Sequence, residues 1–147
     1  MLTRARSIDV LFVIVPHSLL LDIAGPAEAF RLANQHRGLR GLPPRFRLRY
    51  AAPVAVQDTS VGLSIAGLEP LPQELGAPTW VVVVGQPTEH LGNVTPAVST
   101  TARWLKRRLG GSLRDPAGEH RLVTICSGTL LAARAGLLGN RRCTTHH

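Results

Sequence analysis

Cysteine is scarce in this 147-residue sequence, which holds only Cys126 and Cys143. Two thiols so far apart build neither a disulfide framework nor a paired zinc motif, and a reducing compartment, the cytoplasm, is the expected setting. Aromatic residues make up 4% of the chain. None interleaves with a basic cluster, so the stacking platform of a single-strand nucleic-acid binder is not expected. Long apolar runs are missing too. No stretch approaches the roughly 20 residues of a membrane span, and "MLTRARS" leads into a strand-like segment without a small-residue cleavage site, so neither a membrane protein nor an exported one is expected. Acidic residues number 9 against 17 Lys and Arg, a formal charge of +8, which raises the question of a polyanionic partner. The basic residues are scattered through "RGLRGLPPRFRLR", "RWLKRR" and "GNRRC" without a helix-turn-helix pattern. Specific DNA binding by this chain is therefore not expected. The densest run, Lys106-Arg107-Arg108, closes a helix before Gly110-Gly111, where cations complement the macrodipole.

What the sequence does have is 44% hydrophobic residues, enough for the core of one domain spanning residues 1–147. "IDVLFVIV" (Ile8 to Val15) and "WVVVV" (Trp80 to Val84) are near-continuous β-branched runs, as parallel strands covered on both faces require. "FRLRYAAPV" and "RLVTI" read as further strands, and "VGLSIAGLEPL" as a short edge hairpin. Between them, "GPAEAFRLANQHRG" predicts a helix with Pro26 at its first position and Gly38 as its stop. A second helix follows Thr95-Pro96, where Val98, Thr101 or Ala102, Leu105 and Leu109 recur at helical spacing. Ser127 to Ala135 predicts a third, ended by Gly136. This alternation predicts an α/β layered fold, whose ligand sites lie at the carboxyl ends of the strands. Three loops should meet there: Pro16 to Gly25, Gly85 to Leu91, and the Cys126 neighbourhood.

Cys126 stands where a strand gives way to a helix. A turn of that kind exposes a side chain, the helix N-terminus favours a thiolate, and Ser127 and Gly128 can offer backbone N–H groups to an anion. The alternative is a buried free cysteine that only packs. Asp22, in the otherwise apolar "LLLDIAGP", has two readings as well. Its carboxylate either accepts N–H bonds from its own turn or sits over the third strand's end and shares a proton with Cys126. His17, His36, His90 and His120 lack metal-ligand spacing, so no metal and no cofactor is expected. His17 and His90 lie in loops that should border the pocket.

"LDIAGPAEAF", a Gly-containing turn after the "VVVV" strand, "ICSGTLLAARAGLL" and "RRCTTH" occur in an order that resembles the ThiJ/PfpI superfamily, also called class I glutamine amidotransferase-like. "GPAEAFRLAN" followed by "CSGTLLAARAGLLGNRRCTTH" is most similar to the N-terminal sensor domains of GlxA-type AraC-family transcriptional regulators, and also resembles isonitrile hydratase. The resemblance implies a flavodoxin-like layered sandwich with a mostly parallel sheet and a strand-nucleophile-helix elbow. It places Cys126 at the nucleophile position, Asp22 as the acidic partner of its thiol and His146 as the nearby histidine, with Ser127 and Gly85-Gln86 as backbone donors. Relatives commonly carry Gly-Gly where this chain has Gly85-Gln86, so the Gln86 side chain is expected to narrow or polarise the pocket. Superfamily domains continue past Thr-Thr-His, and the regulators add a helix-turn-helix domain. The C-terminal part of the domain is accordingly expected to be missing here, and DNA to be reached only through a domain absent from this chain.

The function expected from these residues is sensing: a small metabolite bound at Asp22, Cys126 and His146, within a chain that can form a homodimer. The alternative is a cysteine-dependent hydratase or hydrolase in which Cys126 attacks an electrophilic carbon and Asp22 moves the proton.

Overall fold

The computed structural model describes residues 6–76, 78–114 and 118–145. Its strands are β1 (Ile8–Val13), β2 (Phe46–Ala52), β3 (Gln57–Asp58), β4 (Ser64–Ile65), β5 (Glu69–Pro70), β6 (Thr79–Val83) and β7 (Arg121–Thr124); its helices are α1 (Leu20–Leu39), α2 (Pro96–Leu109) and α3 (Gly128–Arg134). The β-branched runs are the strands expected of them. They form a sheet of order β5-β2-β1-β6-β7 in which every pairing is parallel.

The side-chain period of two divides β1 between two cores. Val10, Phe12 and Ile14 face α1 and pack with Ile23, whereas Leu11, Val13 and Val15 pack with Val98, Leu105 and Leu131 of α2 and α3. The result is a three-layer sandwich of helix, sheet and helices. α2 starts where the sequence says. The Thr95 hydroxyl accepts the Val98 N–H at 3.2 Å, Pro96 takes the first turn, and Gly110 ends the helix.

Two segments depart from the sequence reading. α1 begins at Leu20, so Pro26 lies inside the helix and Asp22 sits on its first turn instead of in a loop. The Leu19 cap residue makes no side-chain cap bond; its N–H donates to the Gly85 carbonyl at 2.9 Å, and Ile23 is buried against the sheet. Tertiary contacts anchor this helix end, and those are invisible to capping rules. The region read as one edge hairpin divides in two. Ser64–Ile65 pairs antiparallel with Gln57–Asp58, while Glu69–Pro70 runs parallel to β2 as the edge of the main sheet, a place that tolerates proline.

Asp9, the polar residue within the first apolar run, is 3% exposed and lies at the amino end of β1. It is in register with Arg47 on β2 and binds both Arg47, with N–O distances of 2.7 and 2.6 Å, and Arg49, which also pairs with Glu69 at 2.8 Å. This network ties β1, β2 and β5 together at the end of the sheet remote from Cys126.

From β1 the chain winds outward through α1 to β2, and β6 flanks β1 on the other side before α2 leads to β7. The strand order therefore reverses between β1 and β6, and the crevice outside their carboxyl ends is where open α/β sheets bind ligands.

Candidate functional site

The carboxyl ends of β1, β6 and β7 meet at Gly85. Its N–H donates to Asp22 Oδ2 at 3.0 Å, which brings the first turn of α1 onto the end of β6. One residue on, the Ser127 hydroxyl accepts the Gln86 N–H at 2.9 Å and donates to the Gln86 carbonyl at 2.8 Å, which clasps the end of β7 to the same loop. A Cβ on Gly85 would lie 2.9 Å from Asp22 Oδ2, 2.9 Å from Ser127 Oγ and 3.1 Å from Cys126 Cβ. Only glycine lets the three elements converge.

Cys126 adopts φ 51°, a left-handed conformation rare for a residue with a Cβ. The turn is held on several sides. Ile125 N–H bonds the Val83 carbonyl, Gly128 N–H bonds the Ile125 carbonyl, and Thr145 Oγ1 donates to the Cys126 carbonyl, each at 2.9 Å. Gly128 is required for another reason: a Cβ there would stand 2.3 Å from the Val83 carbonyl oxygen. The strand-to-helix elbow expected from "ICSG" is thus present, with the cysteine half-buried at its apex.

A cavity of about 400 Å³ opens beside it, lined by Cys126, Ser127, Gln86 and Leu19 together with Pro87, Thr88, Glu89 and Leu91. The last four were not singled out in the sequence, which gave only the bounds of their loop. The Gln86 side chain donates through Nε2 to the Pro16 carbonyl at 2.6 Å, so it braces the β1 loop while it lines the cavity. His17, at φ 60°, stacks on His90 with ring centroids 4.0 Å apart, joining the same two loops, and Arg134 of α3 hydrogen-bonds the Leu91 carbonyl.

Several sequence expectations come out differently in detail. The N–H groups of Gly85, Gln86 and Gly128 are engaged with Asp22, Ser127 and Ile125. They are not free anion donors, because closing the elbow uses them first. Asp22 likewise contacts Gly85 rather than any residue of its own turn through its carboxylate. No hydrogen bond reaches the Cys126 thiol among the described residues. His146 lies outside the described residues, although the adjoining Thr145 reaches the elbow.

These features define a flavodoxin-like α/β protein with a cysteine elbow at the switch point of the sheet, the ThiJ/PfpI fold. A ThiJ/PfpI family protein from Pseudomonas syringae superposes with a TM-score of 0.58 at 18% identity over 91% of this chain. A protein from Vibrio parahaemolyticus solved as a candidate transcriptional regulator does so with a TM-score of 0.55 at 20% identity over 90% of it. This chain spans 48% and 63% of the length of those two proteins. By sequence it is 33% identical over 131 residues to the uncharacterized protein in the cpoL 5′ region of Streptomyces lividans, which covers 86% of this chain and 79% of that protein. The chain belongs to the family of that Streptomyces protein. No protein-family model matches the sequence.

Proposed function

We propose that this chain is the ligand-sensing domain of an AraC-type transcriptional regulator, and that a small polar metabolite binds in the cavity beside Cys126. The observation that carries the reading is the elbow itself: a half-buried cysteine at φ 51° opening onto a cavity of about 400 Å³. Unfavourable backbone conformations persist where surrounding structure over-determines them, and they cluster at functional sites. Glu89, Thr88, Gln86 and Ser127 give that cavity polar groups, and Leu19, Pro87 and Leu91 give it apolar walls, the usual makeup of a small-molecule site.

Binding is favoured over turnover by the state of the polar groups. The Gly85, Gln86 and Gly128 N–H groups are engaged internally, that of Gly85 by Asp22, so these groups act here as braces, whereas the Ser127 N–H makes no hydrogen bond among the described residues and is left to a bound ligand. Gln86 lines the pocket wall, the stacked His17 and His90 lie outside that wall and tie its two loops together, and His146 is proposed to complete the site. The enzymatic alternative, a hydratase or hydrolase with Cys126 as nucleophile, uses the same residues.

Two experiments test the proposal. Reading the gene in frame beyond the His147 codon should reveal a helix-turn-helix domain; a reading frame that closes without one would contradict the regulator assignment. Incubation with cyclohexyl isonitrile should leave the reagent unhydrated. Cys126-dependent conversion to the N-substituted formamide would establish the enzyme instead.

A further inference from the structure

His17 and His90 make the closest ring contact among the described residues, with centroids 4.0 Å apart and planes 11° from parallel. They follow β1 and β6, which are interior strands, so the pair lies away from both edges of the sheet. Backbone bonds place each ring. His17 has φ 60° and its N–H donates to the Asp58 carbonyl at 2.8 Å; His90 ends the short turn Thr88–His90, and its N–H donates to the Pro87 carbonyl at 2.9 Å. Among the described residues, neither imidazole makes a side-chain hydrogen bond or an ion pair, so stacking is what holds the two rings.

The stack is one of three links between the 16–19 and 85–91 segments. The other two, Gln86 Nε2 to the Pro16 carbonyl at 2.6 Å and Leu19 N–H to the Gly85 carbonyl at 2.9 Å, fasten only the start of the 85–91 loop. Its far end, where Glu89 and Leu91 flank His90 and line the Cys126 cavity, is held by the stack and by Arg134 on the Leu91 carbonyl.

Imidazole takes up its proton between about pH 8 and pH 5, and two protonated rings at this separation repel each other. The charged groups of the surrounding elements are engaged elsewhere or exposed. The Asp58 carboxylate accepts the Ser64 hydroxyl at 2.6 Å, Asp22 holds the Gly85 N–H, Arg134 bonds the Leu91 carbonyl, and Glu89 stands exposed on the loop itself. A first proton leaves one neutral ring for the other to stack on. A second sets two cations face to face, with the fixed charge of Arg134 on the same loop.

We propose that the His17–His90 stack is a proton-operated latch on the Cys126 cavity, closed while one ring is neutral and released when both are protonated. Release also lets His17 leave a left-handed backbone that is unfavourable for a residue with a Cβ. The loop then swings from its far end while the Gln86 and Leu19 bonds keep its start in place, so the cavity opens without the domain unfolding. The latch rests on the geometry of the two loops and holds whether the cavity senses a ligand or turns one over.

Amide hydrogen exchange tests it, with rates at about pH 8 and about pH 5 each corrected for the chemical exchange rate at that pH. The acid condition lies above the interval below 3.8 in which Asp9 loses its charge, so the ion network at the other end of the sheet stays intact. In the native protein, exchange from Thr88 to Leu91 should speed up several-fold on acidification while α2 stays protected. His90→Phe keeps an aromatic ring to stack on and removes the second charge, so the loop should stay protected at both pH values. His90→Ala removes the stack, and the loop should exchange fast at both. Equal protection of the native loop at the two pH values would overturn the proposal, as would an acid response that survives in His90→Phe or one that spreads to α2.

Discussion

Asp22 Oδ2 accepts the backbone N–H of Gly85 at 3.0 Å, and through that one bond the first turn of α1 is fastened to the end of β6 beside the cysteine elbow. Gly85 is buried, so its N–H has no water to turn to. Asp22→Ala should therefore cost about 1–3 kcal/mol, the penalty of an orphaned buried donor, whereas Asp22→Asn keeps an acceptor and should cost less than about 1 kcal/mol. Urea denaturation of the two variants checks the difference. Equal losses would mean that the carboxylate charge, not the hydrogen bond, matters.

Glycine at two positions of the elbow makes an ordered pair of predictions. Gly85→Ala crowds a carboxylate, a hydroxyl and a Cβ at about 3 Å, and side-chain adjustment should limit its effect to about 1–3 kcal/mol. Gly128→Ala meets the Val83 carbonyl at 2.3 Å, which only movement of strand or helix can relieve, and should cost more than about 3 kcal/mol. Thermal melts of both rank them, and the reverse order would contradict the packing described.

The ion network at the other end of the sheet predicts acid sensitivity. Burial pushes the Asp9 carboxyl up, but the hydrogen bonds and charges of Arg47 and Arg49 outweigh it and hold the group below its ordinary value of 3.8. A carboxyl lowered in the folded state stabilises the fold at any pH above its unfolded value. That contribution fades as the pH falls below 3.8 toward the lower folded value. Denaturation midpoints should drop across that interval in the native protein, and Asp9→Asn should lower the midpoint at neutral pH and flatten the drop.

Much of this was legible in the sequence, for reasons that differ by element. Ile8 to Val15 and Trp80 to Val84 announce buried parallel strands because both faces of such strands must be apolar, and Thr95-Pro96 announces α2 because its cap is local. The start of α1 was not legible. Leu19 is held by the Gly85 carbonyl, a partner more than sixty positions away, and Pro26 drew the predicted start toward itself. Cys126, Ser127 and Gly128 were found from their order along the chain. The engagement of the backbone donors was not, since it depends on how the Ser127 hydroxyl and Asp22 reach across strands. Asp9 carried a signal that went unread: Arg47 and Arg49 share one face of β2, and a lone acid in an apolar run needs such a partner.

Ser127 makes a further prediction. Its hydroxyl both accepts from and donates to Gln86, so Ser127→Ala leaves a backbone N–H and a carbonyl unpaired and frees the 85–91 loop. The expected loss is about 1–3 kcal/mol. Amide hydrogen exchange should speed up at Gln86 through Leu91 while α2 stays protected, and unchanged exchange in that loop would show that the clasp does not hold it.

The account stands on Cys126 facing a cavity open to small molecules rather than packing in a core, and reagent size tests this most directly. The folded chain is treated in parallel with iodoacetamide and with a maleimide carrying a large polyethylene glycol chain, and each cysteine is read by peptide mass. Exposed Cys143 should take both reagents, while half-buried Cys126 should take iodoacetamide readily and the bulky maleimide far more slowly. Cys126 that resists both until the protein is unfolded would be a packing residue, and the site proposed around it would fall.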